Sequence, residues 1–159
     1  MKHVWAPWRM AYIEDDSKSD PCIFCRALSQ PDGPGNLILH RGDKAFIMIN
    51  RYPYTSGHVM VVPTAHEPTI EHLEEATLIE LMTLSNLALG RIRQAYNTND
   101  FNLGINIGQS AGAGIVDHVH IHIVPRWNGD TNFMSTTSDT RVLPESLEET
   151  YARLKLGWD

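Results

Sequence analysis

Residues 118–123 alternate strictly between imidazole and aliphatic side chains, in the order His-Val-His-Ile-His-Ile. Because residues two apart on a β-strand share a face, His118, His120 and His122 are predicted to line one face while the aliphatic residues fill the core. An ordinary exposed strand face would carry residues such as Thr, Lys, Glu or Ser. Three imidazoles on one face therefore indicate catalysis or metal binding rather than a solvated surface that happens to be rich in histidine.

The size and charge of the chain restrict its class. Its 159 residues, 42% of them hydrophobic, fit one compact domain with a real core. A formal net charge of −6 without a run of Lys or Arg argues against a nucleic acid polymer as partner, although a single small nucleotide can still bind through backbone amides. No stretch is apolar for long enough to span a bilayer, and the first residues lack the apolar core of a signal peptide. We therefore expect a cytoplasmic protein with no membrane partner.

Periodicity along the chain predicts one α+β domain over residues 1–159. Besides the histidine segment, four segments read as strands: residues 36–40, 45–50, 58–63 and 101–107. Helical spacing predicts one long helix that starts at a capping box, Thr77 to Glu80, and ends near Asn97. Residues 144–156 are predicted to form a C-terminal helix, and residues 1–36 an irregular arm. We expect an antiparallel sheet of about five strands with the long helix packed on its apolar face.

The strand before the histidines has a face of small and polar residues. Asn102, Gly104 and Asn106 alternate with apolar residues, so their face can form the floor of a pocket. The glycine-rich turn 108–114 that follows can present backbone N–H groups to an anion. Neutral imidazole is a good nucleophile, so these features together suggest attack on phosphorus. Neighbouring imidazoles lie about 7 Å apart between Cα atoms, which favours one nucleophile with two supporting histidines.

The H-x-H-x-H pattern followed by apolar residues resembles the signature of the histidine triad (HIT) nucleotide hydrolases and transferases. Residues 50–63 resemble the family's substrate-side hairpin, and residues 101–108 its pocket-floor strand. Residues 5–10 and 125–130 resemble the bacterial branch that includes diadenosine tetraphosphate phosphorylases. The resemblance implies a HIT-like fold and cleavage of dinucleoside polyphosphates at the α-phosphate through a nucleotidyl-histidine intermediate. The acceptor is either phosphate or water.

The resemblance also implies roles for individual residues. His120 would be the nucleophile, His122 would contact the transferring phosphate, and His118 and His58 would orient the imidazoles. Two amide side chains complete this set, with Asn50 at the ribose and Asn106 at the phosphate.

The chain departs from the family pattern just before the triad. Related enzymes usually carry Ser or Thr three or four residues before the first triad histidine, where this chain has Gly114 and Ile115. The backbone amides of Ala113 and Gly114, or the side chain of Gln109, are candidates for the missing phosphate contact. Trp127 suggests an aromatic pocket beyond the phosphates.

The two cysteines, Cys22 and Cys25, have a C-x-x-C spacing that is typical of metal binding or redox exchange. They can supply two thiolates to a structural zinc ion, which needs two further ligands. Some relatives complete such a site with histidines at the positions of His66 and His118. The alternative is a pair of reduced, packed thiols, and we expect no organic cofactor.

Two other functions compete with nucleotidyl transfer. In a zinc-dependent hydrolase the histidines would bind a catalytic metal whose water attacks the substrate. In a nucleotide-binding module the same residues would bind without catalysis. A small nucleotide is the expected partner, and the resemblance implies a homodimer.

Overall fold

The computed structural model describes residues 22–130 and 143–158. Within them the chain forms a five-stranded sheet in the order β1-β2-β3-β5-β4, in which every neighbouring pair is antiparallel. The strands are β1 (Ile38–Arg41), β2 (Ala45–Ile49), β3 (Val59–Pro63), β4 (Asp100–Ile105) and β5 (Ile121–Arg126). The predicted α+β fold with an antiparallel sheet of about five strands is confirmed.

Three described α-helices accompany the sheet: α1 (Ile23–Leu28), α2 (Glu75–Tyr96) and α3 (Leu147–Lys155). Helix α3 is the predicted C-terminal helix, and it starts at a capping box made by Ser146 and Glu149. Helix α1 lies in the segment predicted to be irregular, so that prediction does not hold for residues 23–28. Residues 1–21 of the arm, including the motif at 5–10, lie outside the described residues. None of the described helices is long and apolar enough to cross a membrane.

The long helix ends where the sequence predicted but begins earlier. Its C-cap is Asn97, which adopts the left-handed conformation with φ of 49°. The predicted capping box is wrong, because Thr77 is buried inside the helix. Glu80 instead accepts hydrogen bonds from the backbone N–H of Lys44, at 3.0 and 3.1 Å. This contact fastens the β1–β2 turn to α2.

The register of the sheet separates a histidine face from a helix face. His122 lies between Met60 of β3 and Gly104 of β4, and this row forms part of the histidine face. One residue further on, Ile123 lies between Val59 and Leu103, and this row belongs to the opposite face. The buried side of α2 packs over β2, β3 and β5.

The histidine segment is a strand over only part of its length. Strand β5 begins at Ile121, and its pairing with β3 ends where Ile121 meets Val61. The backbone N–H of Val119 donates instead to the carbonyl oxygen of Glu67 at 2.7 Å. The strand therefore starts after His118 and His120, which lie just before it.

Candidate active site and metal cluster

His120 is held in the tautomer that leaves Nε2 as a nucleophile. Its Nδ1 lies 2.9 Å from the carbonyl oxygen of His118, which can only accept, so the proton is assigned to Nδ1. The side chain is buried, with 5% of the residue exposed. Burial lowers the pKa of His120, and the hydrogen bond to His118 offsets this only in part. The ring is therefore neutral at neutral pH, with a lone pair on Nε2.

His122 is held in the opposite tautomer. The backbone N–H of Tyr54 donates to Nδ1 of His58 at 3.0 Å, so in neutral His58 the proton lies on Nε2. That Nε2 lies 3.0 Å from Nδ1 of His122 and donates to it. The remaining nitrogen of His122, Nε2, therefore carries a proton. A lone pair on His120 and an N–H on His122 lie on neighbouring rings, whose centroids are 4.7 Å apart.

Phe24 of α1 packs against two of the triad rings. It is fully buried, and its ring centroid lies 5.2 Å from that of His118 and 5.0 Å from that of His120. The residue lies between the two cysteines in sequence, so the segment that carries them also forms one wall around the predicted nucleophile.

Asn50 lies at the end of β2 beside His58. Its Oδ1 accepts a hydrogen bond from the backbone N–H of Tyr52 at 3.0 Å, and its Nδ2 lies 3.4 and 3.5 Å from the His58 ring nitrogens. The side chain thus shapes the loop that positions His58. The ribose contact expected for Asn50 stays a prediction.

The four predicted metal ligands converge. One ligand atom from each of Cys22, Cys25, His66 and His118 lies within 4.8 Å of all the others. The Nδ1 atom of His118 is 3.4 Å from Cys22 Sγ and 3.8 Å from Cys25 Sγ, and His66 Nδ1 is 3.4 Å from Cys25 Sγ. Zinc bonds of about 2.3 Å to sulfur and about 2.0 Å to nitrogen place tetrahedral S and N ligands about 3.5 Å apart. The cluster therefore has the dimensions of a tetrahedral zinc site.

The protonation of the cluster also fits a cation. Nε2 of His118 donates to the carbonyl oxygen of Pro63 at 2.8 Å, which leaves Nδ1 free of a proton and aimed at the cysteines. Burial lowers the pKa of His118, so the ring is a neutral ligand. Burial and the neighbouring Cys22 raise the pKa of Cys25, because two thiolates side by side repel each other. A bound cation would relieve that repulsion.

A cleft of about 1290 Å³ opens beside His122. Asn102, Gly104 and Asn106 of the predicted pocket floor line it, together with Trp127. His120 lies next to the cleft but not in its lining. The cleft therefore reaches the histidine pair through His122.

The glycine-rich turn lies outside this lining. Gln109, Ala113 and Gly114 are not among the residues that line the cleft. The N–H of Ala113 donates to the carbonyl oxygen of Gly108 at 3.3 Å, which closes the turn on itself. The phosphate contacts expected for these three residues stay predictions.

Several residues of the site were not found from the sequence. The Tyr54 ring packs against both members of the hydrogen-bonded pair His58 and His122, which we call the histidine relay. Its centroid lies 4.5 Å from that of His58 and 5.8 Å from that of His122. Helical spacing places Tyr96 on the core face of α2, and it does pack against the core, but it also lines the cleft. Arg153 of the cleft follows no motif, whereas Arg126 lies in the segment 125–130 that resembles the bacterial branch, although no role was predicted for it. Of these residues, only Tyr54 could have been suspected from the sequence, because it lies in the loop just before His58.

A family model described as "HIT domain" matches residues 33–129. The chain belongs to the HIT domain family. This HIT protein is 32% identical to a Mycobacterium tuberculosis protein named AP-4-A phosphorylase, in an alignment that covers 99% of this chain and 85% of that relative. It is 31% identical to the asymmetrical bis(5′-nucleosyl)-tetraphosphatase of Schizosaccharomyces pombe, over 60% of this chain and 52% of that relative.

The solved structures agree with the assignment of the HIT protein. A hypothetical histidine triad nucleotide-binding protein from Sulfolobus tokodaii strain 7 superposes with a TM-score of 0.69 at 27% identity. The match covers 86% of this chain and 91% of that one.

Proposed function

We propose that this protein cleaves dinucleoside polyphosphates of the diadenosine tetraphosphate type at the α-phosphorus, through a nucleotidyl intermediate on His120. It is an enzyme of the HIT nucleotidyltransferase or hydrolase type, and the two named relatives support the substrate class. The observation that carries the proposal is the pairing of opposite tautomers, a lone pair on His120 beside an N–H on His122.

In the first step, Nε2 of His120 attacks the α-phosphorus of the substrate. A P–N bond forms while the bond from phosphorus to the bridging oxygen breaks, and the remaining nucleoside polyphosphate leaves. The Nε2–H of His122 donates to an oxygen of the transferring phosphate, where negative charge develops. His58 acts through His122 by keeping a proton on its Nε2. The amide of Asn106 at the cleft floor is the proposed second contact to the phosphate.

In the second step, an acceptor attacks the same phosphorus and the P–N bond breaks. An oxygen of inorganic phosphate as acceptor gives a nucleoside diphosphate, whereas water gives a nucleoside monophosphate. Both routes return the lone pair to His120. The M. tuberculosis relative, named a phosphorylase and matched over nearly the whole chain, supports phosphate as acceptor.

The competing zinc hydrolase needs the triad histidines to share a metal. Among residues 22–130 and 143–158, the candidate metal cluster takes only His118 from the triad. His120 and His122 have their Nδ1 atoms engaged with a carbonyl oxygen and with His58. This arrangement favours a nucleophile over a metal-bound water. A binding module without catalysis would not need the opposed tautomers.

We propose a structural zinc ion held by Cys22, Cys25, His66 and His118. Such an ion would fasten α1 to the segment that carries the triad and supply no chemistry to the reacting phosphate. Neither Cys22 nor Cys25 forms a disulfide, which is typical of a reducing compartment and supports a cytoplasmic location as part of the proposal.

We further propose that the enzyme is a homodimer formed through β4 and α2. Strand β4 is an edge strand of the sheet, and an open edge can pair with another chain. The strand itself carries exposed apolar residues, Leu103 with 45% and Ile105 with 38% of the residue surface accessible. On α2, Ile79 and Met82 are exposed at 60% and 55%. A second copy of this surface would cover them.

The function is tested by incubating the purified protein with diadenosine tetraphosphate and isotope-labelled inorganic phosphate. Label that appears in ADP identifies phosphorolysis, and unlabelled AMP together with ATP identifies hydrolysis. Absence of turnover by either route contradicts the proposed function.

A further inference from the structure

The cleft beyond His122 is larger than one nucleotide requires. Its volume of about 1290 Å³ exceeds the roughly 300–1,000 Å³ that is usual for small-molecule pockets. Strand β5 runs along it from His122 to Arg126, a distance of about 13 Å over four strand residues. The far end is bounded by α3, through Glu149, Ala152 and Arg153. A ligand anchored at the histidines therefore has room for a second large group.

The far end of the cleft is lined by aromatic and cationic groups that contact one another. The rings of Tyr96 and Trp127 meet edge to face with centroids 6.1 Å apart. The guanidinium carbon of Arg153 lies 5.3 Å from the centre of the Tyr96 ring. Such a wall offers planar surfaces to a planar ligand, because aromatic rings and guanidinium groups both stack on flat π-systems.

Both arginines at this end of the cleft already form ion pairs within the protein. Arg126 makes a two-pronged ion pair with Asp130, at 2.6 and 2.9 Å. Nε of Arg153 donates to Glu145 at 2.6 Å, and that carboxylate also accepts from the hydroxyl of Tyr96. Glu149, a third carboxylate in the lining, has no arginine of its own among these pairs. This end of the cleft therefore repels additional phosphate and favours a neutral group.

We infer that the cleft wall formed by Tyr96, Trp127 and Arg153 binds the second nucleoside, the base and ribose at the end of the substrate that is not attacked. The inference rests on the proposed function, since it assigns a place to the part of the same substrate that leaves. The phosphates then span the stretch from the histidine pair to Asn102, and the uncharged base lies against the aromatic wall.

Helix α3 adds to this subsite a part that lies outside the common domain. The family model matches residues 33–129, whereas Glu145, Ala152 and Arg153 lie beyond that range. The C-terminal helix therefore contributes to the preference for a dinucleotide over a mononucleotide. The cleavage chemistry is set by the histidines.

The test compares diadenosine tetraphosphate with adenosine 5′-tetraphosphate, which has the same phosphate chain but lacks the second nucleoside. Ala152 lines the cleft and is exposed, so Ala152→Phe fills the subsite without disturbing the core. Glu148→Phe is the matched control, since Glu148 is exposed one turn earlier on α3 and outside the lining. The kcat/KM of each protein is measured for both substrates, and thermal unfolding verifies that each variant is folded.

We expect Ala152→Phe to lower kcat/KM for diadenosine tetraphosphate by about ten-fold while that for adenosine tetraphosphate stays within about two-fold. Glu148→Phe should change neither value. An equal loss for both substrates, no loss for either, or an unaltered enzyme that does not prefer the dinucleotide would overturn the subsite and leave the cleavage chemistry standing. If the unaltered enzyme turns over neither substrate, the proposed function fails, and the subsite fails with it.

Discussion

Replacing His58 with phenylalanine breaks the relay that sets the tautomer of His122. The side chain is fully buried, and it accepts from Tyr54 N–H and donates to His122 Nδ1, each at 3.0 Å. Phenylalanine keeps a ring of similar shape but can make neither bond. Two lost hydrogen bonds at about 1 kcal/mol each lower the free energy of unfolding by about 2 kcal/mol. That loss leaves a typical domain folded.

The effect on catalysis has an upper bound, because His58 acts only through His122. A preorganised donor at a developing charge contributes about 10²–10³ in kcat, which is the loss expected for His122→Ala. For His58→Phe we expect a loss of about ten- to a hundred-fold, since the His122 ring remains but its proton is no longer fixed on Nε2. The exposed His72 provides a control, and His72→Phe should leave kcat unchanged.

A double-mutant cycle on kcat for diadenosine tetraphosphate tests this reasoning. In the His122→Ala background, His58→Phe should change kcat by less than about two-fold, because the group through which it acts is gone. If the two losses instead multiply, His58 contacts the reaction independently and the relay is refuted. Urea unfolding of each variant separates these losses from instability.

Three further predictions concern the metal, the charge at α3 and the dimer. Cys25→Ser removes one of four ligands, so zinc measured in protein purified without added metal should fall from about one equivalent to less than half, with a lower melting temperature; an unaltered zinc content would contradict the site. Burial tends to raise the pKa of Glu145, but hydrogen bonds from Tyr96, Arg153 and Thr150 outweigh it and hold this pKa below its ordinary value of 4.5. The ionised form therefore stabilises the fold above that pH. Glu145→Gln should lower the free energy of unfolding in urea by about 1–2 kcal/mol at pH 7, and this cost should shrink as the pH falls below 4.5. A cost that stayed the same at low pH would contradict a role for the ionised carboxylate. Ile105→Lys places a charge on the exposed face of β4 and should shift the mass measured by light scattering from dimer towards monomer, whereas an unchanged mass would place the interface elsewhere.

The strands were predictable because β4 and β5 alternate in sequence, while β2 and β3 are short apolar runs bounded by turn residues. The Cys22, Cys25, His66 and His118 cluster was predicted through the family resemblance, and its four ligand atoms do converge. By contrast, the three histidines were expected to line one face of a single strand. Strand β5 begins at Ile121, so only His122 lies in it. His118 contacts the cysteines, as the resemblance implied, and the rings of His120 and His122 lie 4.7 Å apart.

Other features depended on contacts between distant segments, which local periodicity does not encode. Glu80 matches the spacing of a capping box, yet it bonds to Lys44 of the β1–β2 turn, 36 residues earlier. Leu78 and Met82 have helical spacing with the core face but are exposed, at 36% and 55%. The roles of Tyr96 and Arg153 depend on where α3 meets the end of α2, which no motif records.

The covalent intermediate on His120 is tested most directly by rapid quenching. The enzyme is mixed with diadenosine tetraphosphate labelled at the α-phosphorus, quenched in base within milliseconds, and analysed by peptide mass spectrometry. We predict AMP on His120, lost on further incubation with phosphate or water and absent from His120→Ala, which should be inactive. Steady turnover without a nucleotide on any histidine, or an active His120→Ala enzyme, would contradict the mechanism.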